Sequence, residues 1–321
     1  MRAVVVPRQG GPEVLTVTDR PTPEAGPGQL VVDSSAAGVN FIDTYQRSGV
    51  YPMQTPFVPG SEGAGRVSAV GPDVTEFAVG DRVAWMAVPG SYAEQVLVPA
   101  SQAVRVPDDL PGDLAAGALL QGVTAHYLAN STFAVRPGDT ALVHAAAGGV
   151  GLLLTQLVKQ RGGRVIATVS TDEKESLARQ AGADDVLRYD GFADGVRKLT
   201  DGRGVDVVYD GVGKATFDDS LTTLRPRGMM VLFGGSSGQV PPFDPQRLNQ
   251  LGSLFLTRPK VAEYIATRDE LTWRAGDILA AISSGDLELR IGGRYPLDEA
   301  ARAHEDLESR RTTGKLVITT R

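Results

Sequence analysis

Over roughly the first 120 residues, apolar positions come in short β-rich runs cut by Gly and Pro, at residues 3–6, 29–32, 65–70, 82–84 and 93–98. Short runs bounded by turn residues predict a β-rich, partly barrel-like domain. From about residue 122 the texture changes. Apolar runs at 140–144, 164–169, 185–187, 205–209 and 229–233 now alternate with helical stretches such as 152–160, 172–181 and 216–224. That alternation predicts a parallel sheet covered on both faces. At the C-terminal end, residues 291–295, 297–308 and 315–319 read as strand, helix and strand, and pattern alone attaches them to neither part.

The run Ala145-Ala146-Ala147-Gly148-Gly149-Val150-Gly151 joins the first strand of the alternating region to its first helix. Small residues and glycines there let a backbone approach a pyrophosphate, whose charge then meets the positive end of the following helix. Ala146 stands where the usual fingerprint has its first Gly, so the strand–turn–helix–strand context carries the reading. A tight turn with no ligand is the alternative.

Composition narrows the class. The 321 residues, 42% hydrophobic and 22% charged, suffice for two domains with a core. A net charge of -6 argues against a nucleic-acid surface. No run is long enough to span a membrane, and Pro7 cuts the first strand too early for a signal peptide, so a cytoplasmic location is expected. With no cysteine, disulfides, thiol nucleophiles and Cys-based zinc sites are excluded. His126, His144 and His304 are widely separated and read as structural, so no metal site is expected.

NAD-preferring sites carry an acidic residue about twenty positions past the glycines, which binds the ribose 2′-hydroxyl and repels a 2′-phosphate. Here the second strand ends in the neutral Ser170 and Thr171; Lys174 follows, and Arg188 and Tyr189 close the next strand. A Lys–phosphate hydrogen bond contributes about 1.5–3 kcal/mol, which favours NADPH by about tenfold or more. Asp172 also lies near the acidic position; NADPH is compatible with it only if its carboxylate turns to solvent. Ser170 and Glu173 also fit a capping box, which needs no ligand.

With these features in place, the chain resembles the zinc-independent quinone oxidoreductases of the medium-chain dehydrogenase/reductase superfamily, the zeta-crystallin group. The likeness runs nearly full length. It rests on Ala37-Gly38-Val39-Asn40-Phe41-Ile42-Asp43-Thr44-Tyr45, Ser48-Gly49-Val50-Tyr51-Pro52, Pro59-Gly60-Ser61-Glu62-Gly63-Ala64-Gly65, Gly80-Asp81-Arg82-Val83, the run from His144 to Gly151, and Gly204-Val205-Asp206-Val207-Val208-Tyr209-Asp210. It implies an α/β fold: a GroES-like β-rich catalytic domain from residues 1–121 and 292–321, with a Rossmann doubly wound parallel-sheet domain, 122–291, between them. Zinc-dependent cousins would carry Cys at Asn40 and His at Ser61; neither is present, so the Lewis acid of alcohol oxidation is missing.

The resemblance further implies NADPH in a cleft between domains, with Asn40 and Tyr45 lining it and Tyr51 close by. Asn40 can bond a ribose hydroxyl or substrate carbonyl, and a tyrosine hydroxyl can donate to the oxygen that gains charge. Packing or capping roles are the alternatives for all three, and Asp43 reads as structural. Cofactor contacts are expected from Asn40, Thr124, Ala147, Gly148, Gly149, Val150, Gly151, Ser170, Thr171, Lys174, Tyr189, Val212, Phe233, Gly234, Ser236 and Arg310. The implied activity is NADPH-dependent quinone reduction, with reduction of α,β-unsaturated carbonyls or enoyl thioesters as the alternative. A crystallin-like or RNA-binding protein is the alternative of another class. A homodimer built through the cofactor domain's sheet is the implied assembly, with a small quinone or enone as partner and no membrane.

Overall fold

The computed structural model describes residues 1–320 and divides into two compact units. Residues 1–123 and those from Ile265 onward form one; Thr124–Tyr264 forms the other. The sequence reading set these boundaries at 122 and 292.

The β-rich unit opens with an antiparallel pair, β1 (Arg2–Val5) and β2 (Thr16–Asp19). Its main sheet is organised by β3 (Gln29–Val39), which serves two sets of partners. Residues 29–33 pair with β6 (Gln95–Pro99), and residues 36–39 pair with the last strand of the chain. On its other side β3 pairs with β4 (Glu62–Val70), followed by β5 (Arg82–Met86) and β7 (Ala103–Arg105). Register shifts at Val31/Val32 and Ser34/Ala36 bend β3, which lets one strand serve both sets of partners in a single sheet. Trp85, Leu30, Val32 and Val96 fill the core beneath. Between β3 and β4 lies α1 (Phe41–Ser48), and α2 (Gly112–Tyr127) follows β7.

The second unit is a six-stranded parallel sheet: β8 (Thr140–Val143), β9 (Arg164–Thr168), β10 (Asp185–Leu187), β11 (Val205–Asp210), β12 (Leu224–Leu232) and β13 (Phe255–Thr257). Their spatial order is β10-β9-β8-β11-β12-β13, the doubly wound arrangement whose direction reverses between β8 and β11. The helices α3 (Gly149–Gln160), α4 (Asp172–Gln180), α5 (Phe192–Leu199), α6 (Phe217–Thr223) and α7 (Gln246–Gln250) connect the strands. The predicted alternation and α/β class are both present.

The chain then returns to the β-rich unit. Helix α8 (Arg268–Ser284) packs there: Arg268 donates to the carbonyls of Ser101 and Ala103, and Ile278 lies against Gly122. After it come β14 (Ile291–Pro296), α9 (Ala300–Glu308) and β15 (Lys315–Thr319). Pairing of β15 with β3, Leu316 opposite Val39, attaches the C-terminal segment that pattern had left loose.

At this seam Glu62 and Lys315 form an ion pair with both side chains wholly buried. The Lys315 ammonium also donates to Val39 O at 3.1 Å and Asn40 Oδ1 at 2.8 Å, while Glu62 Oε2 accepts the Leu120 N–H at 2.7 Å. Removing one partner of a buried pair strands the other charge and costs about 3–5 kcal/mol. Urea denaturation of Lys315→Met is expected to show a loss of that order. Adding Glu62→Gln is expected to recover part of it, because the stranded charge is gone.

Candidate active site

Helix α1 positions the residues expected to meet substrate. Asn40 precedes it in extended conformation, and the Asn40 N–H donates to Asp43 Oδ2 at 2.9 Å, one half of a capping box. The Asn40 carboxamide is engaged at both ends. Its nitrogen donates to Glu62 Oε1 (2.7 Å) and Gly38 O (3.4 Å), and its oxygen accepts from Lys315 (2.8 Å) and Gln121 (3.5 Å). One turn on, Tyr45 is half-buried between Phe41 (ring centroids 6.1 Å) and Tyr51 (5.4 Å, near perpendicular). Gly49, at φ 86°, ends the helix in the left-handed region and turns the chain so that Tyr51 N–H reaches Tyr45 O. Tyr51 is 38% exposed. The structure thus brings Tyr45 and Tyr51 together.

Beneath α1 runs a buried polar chain that sequence reasoning missed. Asp43 accepts from Ser61 Oγ at 2.9 Å and Tyr92 OH at 3.1 Å; Tyr92 OH also meets His304 Nε2 at 3.1 Å. The other ring nitrogen of His304 faces the Arg47 guanidinium at 3.2 Å, which pairs with Glu308. Burial pushes the Asp43 carboxyl up to about 6, with its three donors and the Lys315 charge opposing. Burial, then the Arg47 charge, holds His304 down to about 3.

In the parallel-sheet unit, the turn after β8 brings Ala147 to Gly151 to the carboxyl edge beside the reversal point. Helix α3 has no side-chain cap, and the N–H groups of Gly149, Val150 and Gly151 meet no acceptor among the described residues. Such a cradle of unpaired N–H groups at a helix start is an arrangement that suits an anion. A Cβ at Gly151 would lie 2.7 Å from Ala146 Cα, so only glycine lets the helix start this close to the strand. His144 is buried with both ring nitrogens bonded, to Thr168 Oγ1 and Ser220 Oγ, as a structural residue should be.

Parallel pairing of β9 and β10, Leu187 opposite Thr168, sets Ser170, Thr171 and Lys174 beside Arg188 and Tyr189. The Tyr189 hydroxyl accepts the Ala145 N–H at 3.1 Å, linking this edge to the cradle. The helix cap is Thr171, whose Oγ1 accepts from Lys174 N, and not Ser170 as the sequence suggested. The Asp172 side chain is fully solvent-exposed and paired with Arg188 at 2.5 Å. Its charge is therefore turned outward and partly neutralised.

Asp210 draws together the loops after β11 and β12: Val212 N–H and Gly213 N–H donate to its carboxylate, and Phe233 N–H and Gly234 N–H to its carbonyl. A Cβ at Gly234 would lie 2.6 Å from Gly211 O, so the loops approach this closely only with glycine. Ser236 continues the second loop, its N–H on Gly211 O. Thr124, on α2, bonds the Tyr127 hydroxyl, and Tyr127 stacks on Tyr264. Arg310 follows α9 and belongs to the β-rich unit, whereas Lys174 and Tyr189 belong to the other.

Two family models match: an alcohol dehydrogenase GroES-like domain over residues 26–108 and a zinc-binding dehydrogenase domain over 149–274. Over 315 residues the chain is 46% identical to the quinone oxidoreductase of Pseudomonas aeruginosa, covering 96% of each. The chain belongs to the quinone oxidoreductase family of the medium-chain dehydrogenase/reductases. Among solved structures, a mycobacterial protein complexed with NADPH matches with a TM-score of 0.97, 52% identity and full coverage of both chains. A 2-haloacrylate reductase from a Burkholderia species is 41% identical, covering 98% of each chain.

The expected GroES-like and Rossmann domains are thus those of a quinone oxidoreductase. One of the matching models describes zinc-binding dehydrogenases, but the positions marked for zinc ligands are otherwise committed here: Asn40 to Lys315 and Glu62, Ser61 to Asp43. Among the described residues no group of three or more His, Cys, Asp or Glu is placed to hold a metal ion.

The buried chain in this quinone oxidoreductase predicts two opposed pH effects. Asp43, raised when folded, contributes stability that is full below about pH 4 and lost as pH rises toward 6. His304, lowered when folded, contributes stability that is full above about pH 6.5 and lost as pH falls toward 3. Urea midpoints across pH 4–8 are expected to show the wild-type advantage over Asp43→Asn shrinking with rising pH, and that over His304→Gln growing. Slopes of the reverse sign would refute both assignments.

Proposed function

We propose that this protein reduces quinones with NADPH. What supports the reading most is the full-length kinship with a quinone oxidoreductase. The choice of NADPH is supported by the complex of the mycobacterial relative and by the edge of β9, where Ser170 and Thr171 are neutral and Asp172 faces solvent.

In this reading the amides of Gly149, Val150 and Gly151 hold the diphosphate, with Ala147 and Gly148 giving the close approach. Ser170, Thr171, Lys174 and Tyr189 hold the 2′-phosphate. Thr124, Val212, Phe233, Gly234 and Ser236 line the nicotinamide side. When bound, NADPH supplies the hydride. Asn40, its carboxamide already engaged, anchors the helix that carries Tyr45. The Tyr45 and Tyr51 rings face a flat acceptor, and their hydroxyls donate to the oxygen that gains charge.

A second reading, reduction of an activated carbon–carbon double bond, is favoured by the likeness to 2-haloacrylate reductase. The same two tyrosines would protonate or bind a carbonyl oxygen in either reaction. NADPH and NADH oxidation measured in parallel with a naphthoquinone, an enone and an enoyl thioester separates the two. Turnover of the quinone with NADPH preferred is expected; turnover confined to the enone or thioester gives the second reading. Tight NADPH binding with no turnover would point instead to a crystallin-like or RNA-binding role, against which the net charge of -6 counts.

The proposal includes a cytoplasmic location and a homodimer joined through the parallel sheet. Strand β13 is an edge strand among the described residues, and its Phe255 is 57% exposed. Lys174→Ala is expected to raise the Michaelis constant for NADPH about tenfold and to leave that for NADH within about twofold. Phe255→Lys is expected to shift the protein from dimer to monomer in sedimentation.

A further inference from the structure

Arg258 directly follows β13 at the carboxyl edge of the parallel sheet, where ligands of such sheets lie. Its guanidinium donates to Leu232 O at 2.9 Å, which fixes it beside the Phe233-Gly234 segment. Among the described residues Arg258 makes no ion pair and no second hydrogen bond. Arg203 and Arg225, at the opposite edge of the same sheet, instead pair with Asp206. A guanidinium has five N–H donors, so Arg258 retains most of its donors for a ligand.

The position says which ligand. At about 4.8 Å per strand, β13 lies roughly 19 Å from β9 and roughly 14 Å from β8. The Arg258 charge therefore stands at the far end of the sheet from the cofactor's phosphates. It shares this end with the half-buried Tyr264, which covers the buried Tyr127. Tyr127 and Tyr264 stack at 4.2 Å and 9°, with Tyr264 OH accepting from Thr132 Oγ1 at 3.0 Å. Thr132 closes a π-helical turn, Leu128–Thr132, a distortion common at functional sites. The Arg258 charge is near enough to act on the Tyr127 hydroxyl, opposing the upward push of burial.

We propose that Arg258 determines acceptor specificity by binding an anionic group, a carboxylate or sulfonate, carried on a conjugated acceptor. The proposal rests on the quinone-reductase reading for its turnover assay and is tested separately by binding. The planar fork of the guanidinium suits two oxygens of such a group.

The probes are 1,4-naphthoquinone and 1,4-naphthoquinone-2-sulfonate. With NADP⁺ present, so that nothing turns over, calorimetry is expected to show the sulfonate binding wild type about tenfold more tightly than Arg258→Met, and Arg258→Lys in between. The neutral quinone is expected to bind all three within about twofold. With NADPH, the Michaelis constant for the sulfonate is expected to rise about tenfold in Arg258→Met while kcat with the neutral quinone holds. Equal losses for both probes, or no loss for the sulfonate, would overturn the role. If wild type turns over neither probe but Arg258→Met still loses sulfonate affinity, the quinone reading fails and the anion-binding assignment stands.

Discussion

Glu62 and Lys315 face each other with no access to water, and each needs the other in one geometry only. Taking either ion from solvent costs several kcal/mol unless its partners are all in place. Four pieces of chain must therefore meet at once: β4 with the carboxylate, β15 with the ammonium, Asn40 ahead of α1, and the Leu120 N–H of α2. The proposed acceptor-binding tyrosines stand on α1, so their placement inherits this constraint. A second buried carboxylate, Asp43, repeats the device one turn further on through Ser61 and Tyr92.

How far the chain could be read from its pattern follows from how local each determinant is. The strands β8 to β12 of the parallel-sheet unit were readable because each has an apolar run bounded by turns, whereas β13, α5 and α7 are too short to stand out in the pattern. Helix α2 is apolar nearly all round, so it has no stripe of period 3.6 to announce it. Strand β3 runs on to Val39 through Asp33, Ser34 and Ser35, whose polarity ends the apolar pattern although the backbone stays paired. Ser170 and Thr171 are nearly equivalent as caps, and only the backbone chooses between them. Lys315 was read as an ordinary strand residue; its partner lies 253 positions away, beyond any local signal.

The edge formed by β9 and β10 shows how one acidic residue can be misjudged by spacing alone. Asp172 occupies the stretch where a ribose-binding carboxylate is expected, yet the first helical turn points it outward and Arg188 meets it there. Position in the sequence gives the neighbourhood; helix phase decides the direction. Arg188 and Tyr189 arrive from the next strand, so this edge is assembled from two βα connections.

The pairing of β15 with β3 also orders events during synthesis. The parallel-sheet unit is one continuous stretch and can close as soon as it leaves the ribosome. The other unit cannot: its first strands emerge early, but the strand carrying the ammonium that compensates Glu62 is translated only after the whole parallel-sheet unit. Until then that carboxylate lacks its counter-ion, and the early strands wait as an open edge while their neighbour in the chain is already formed.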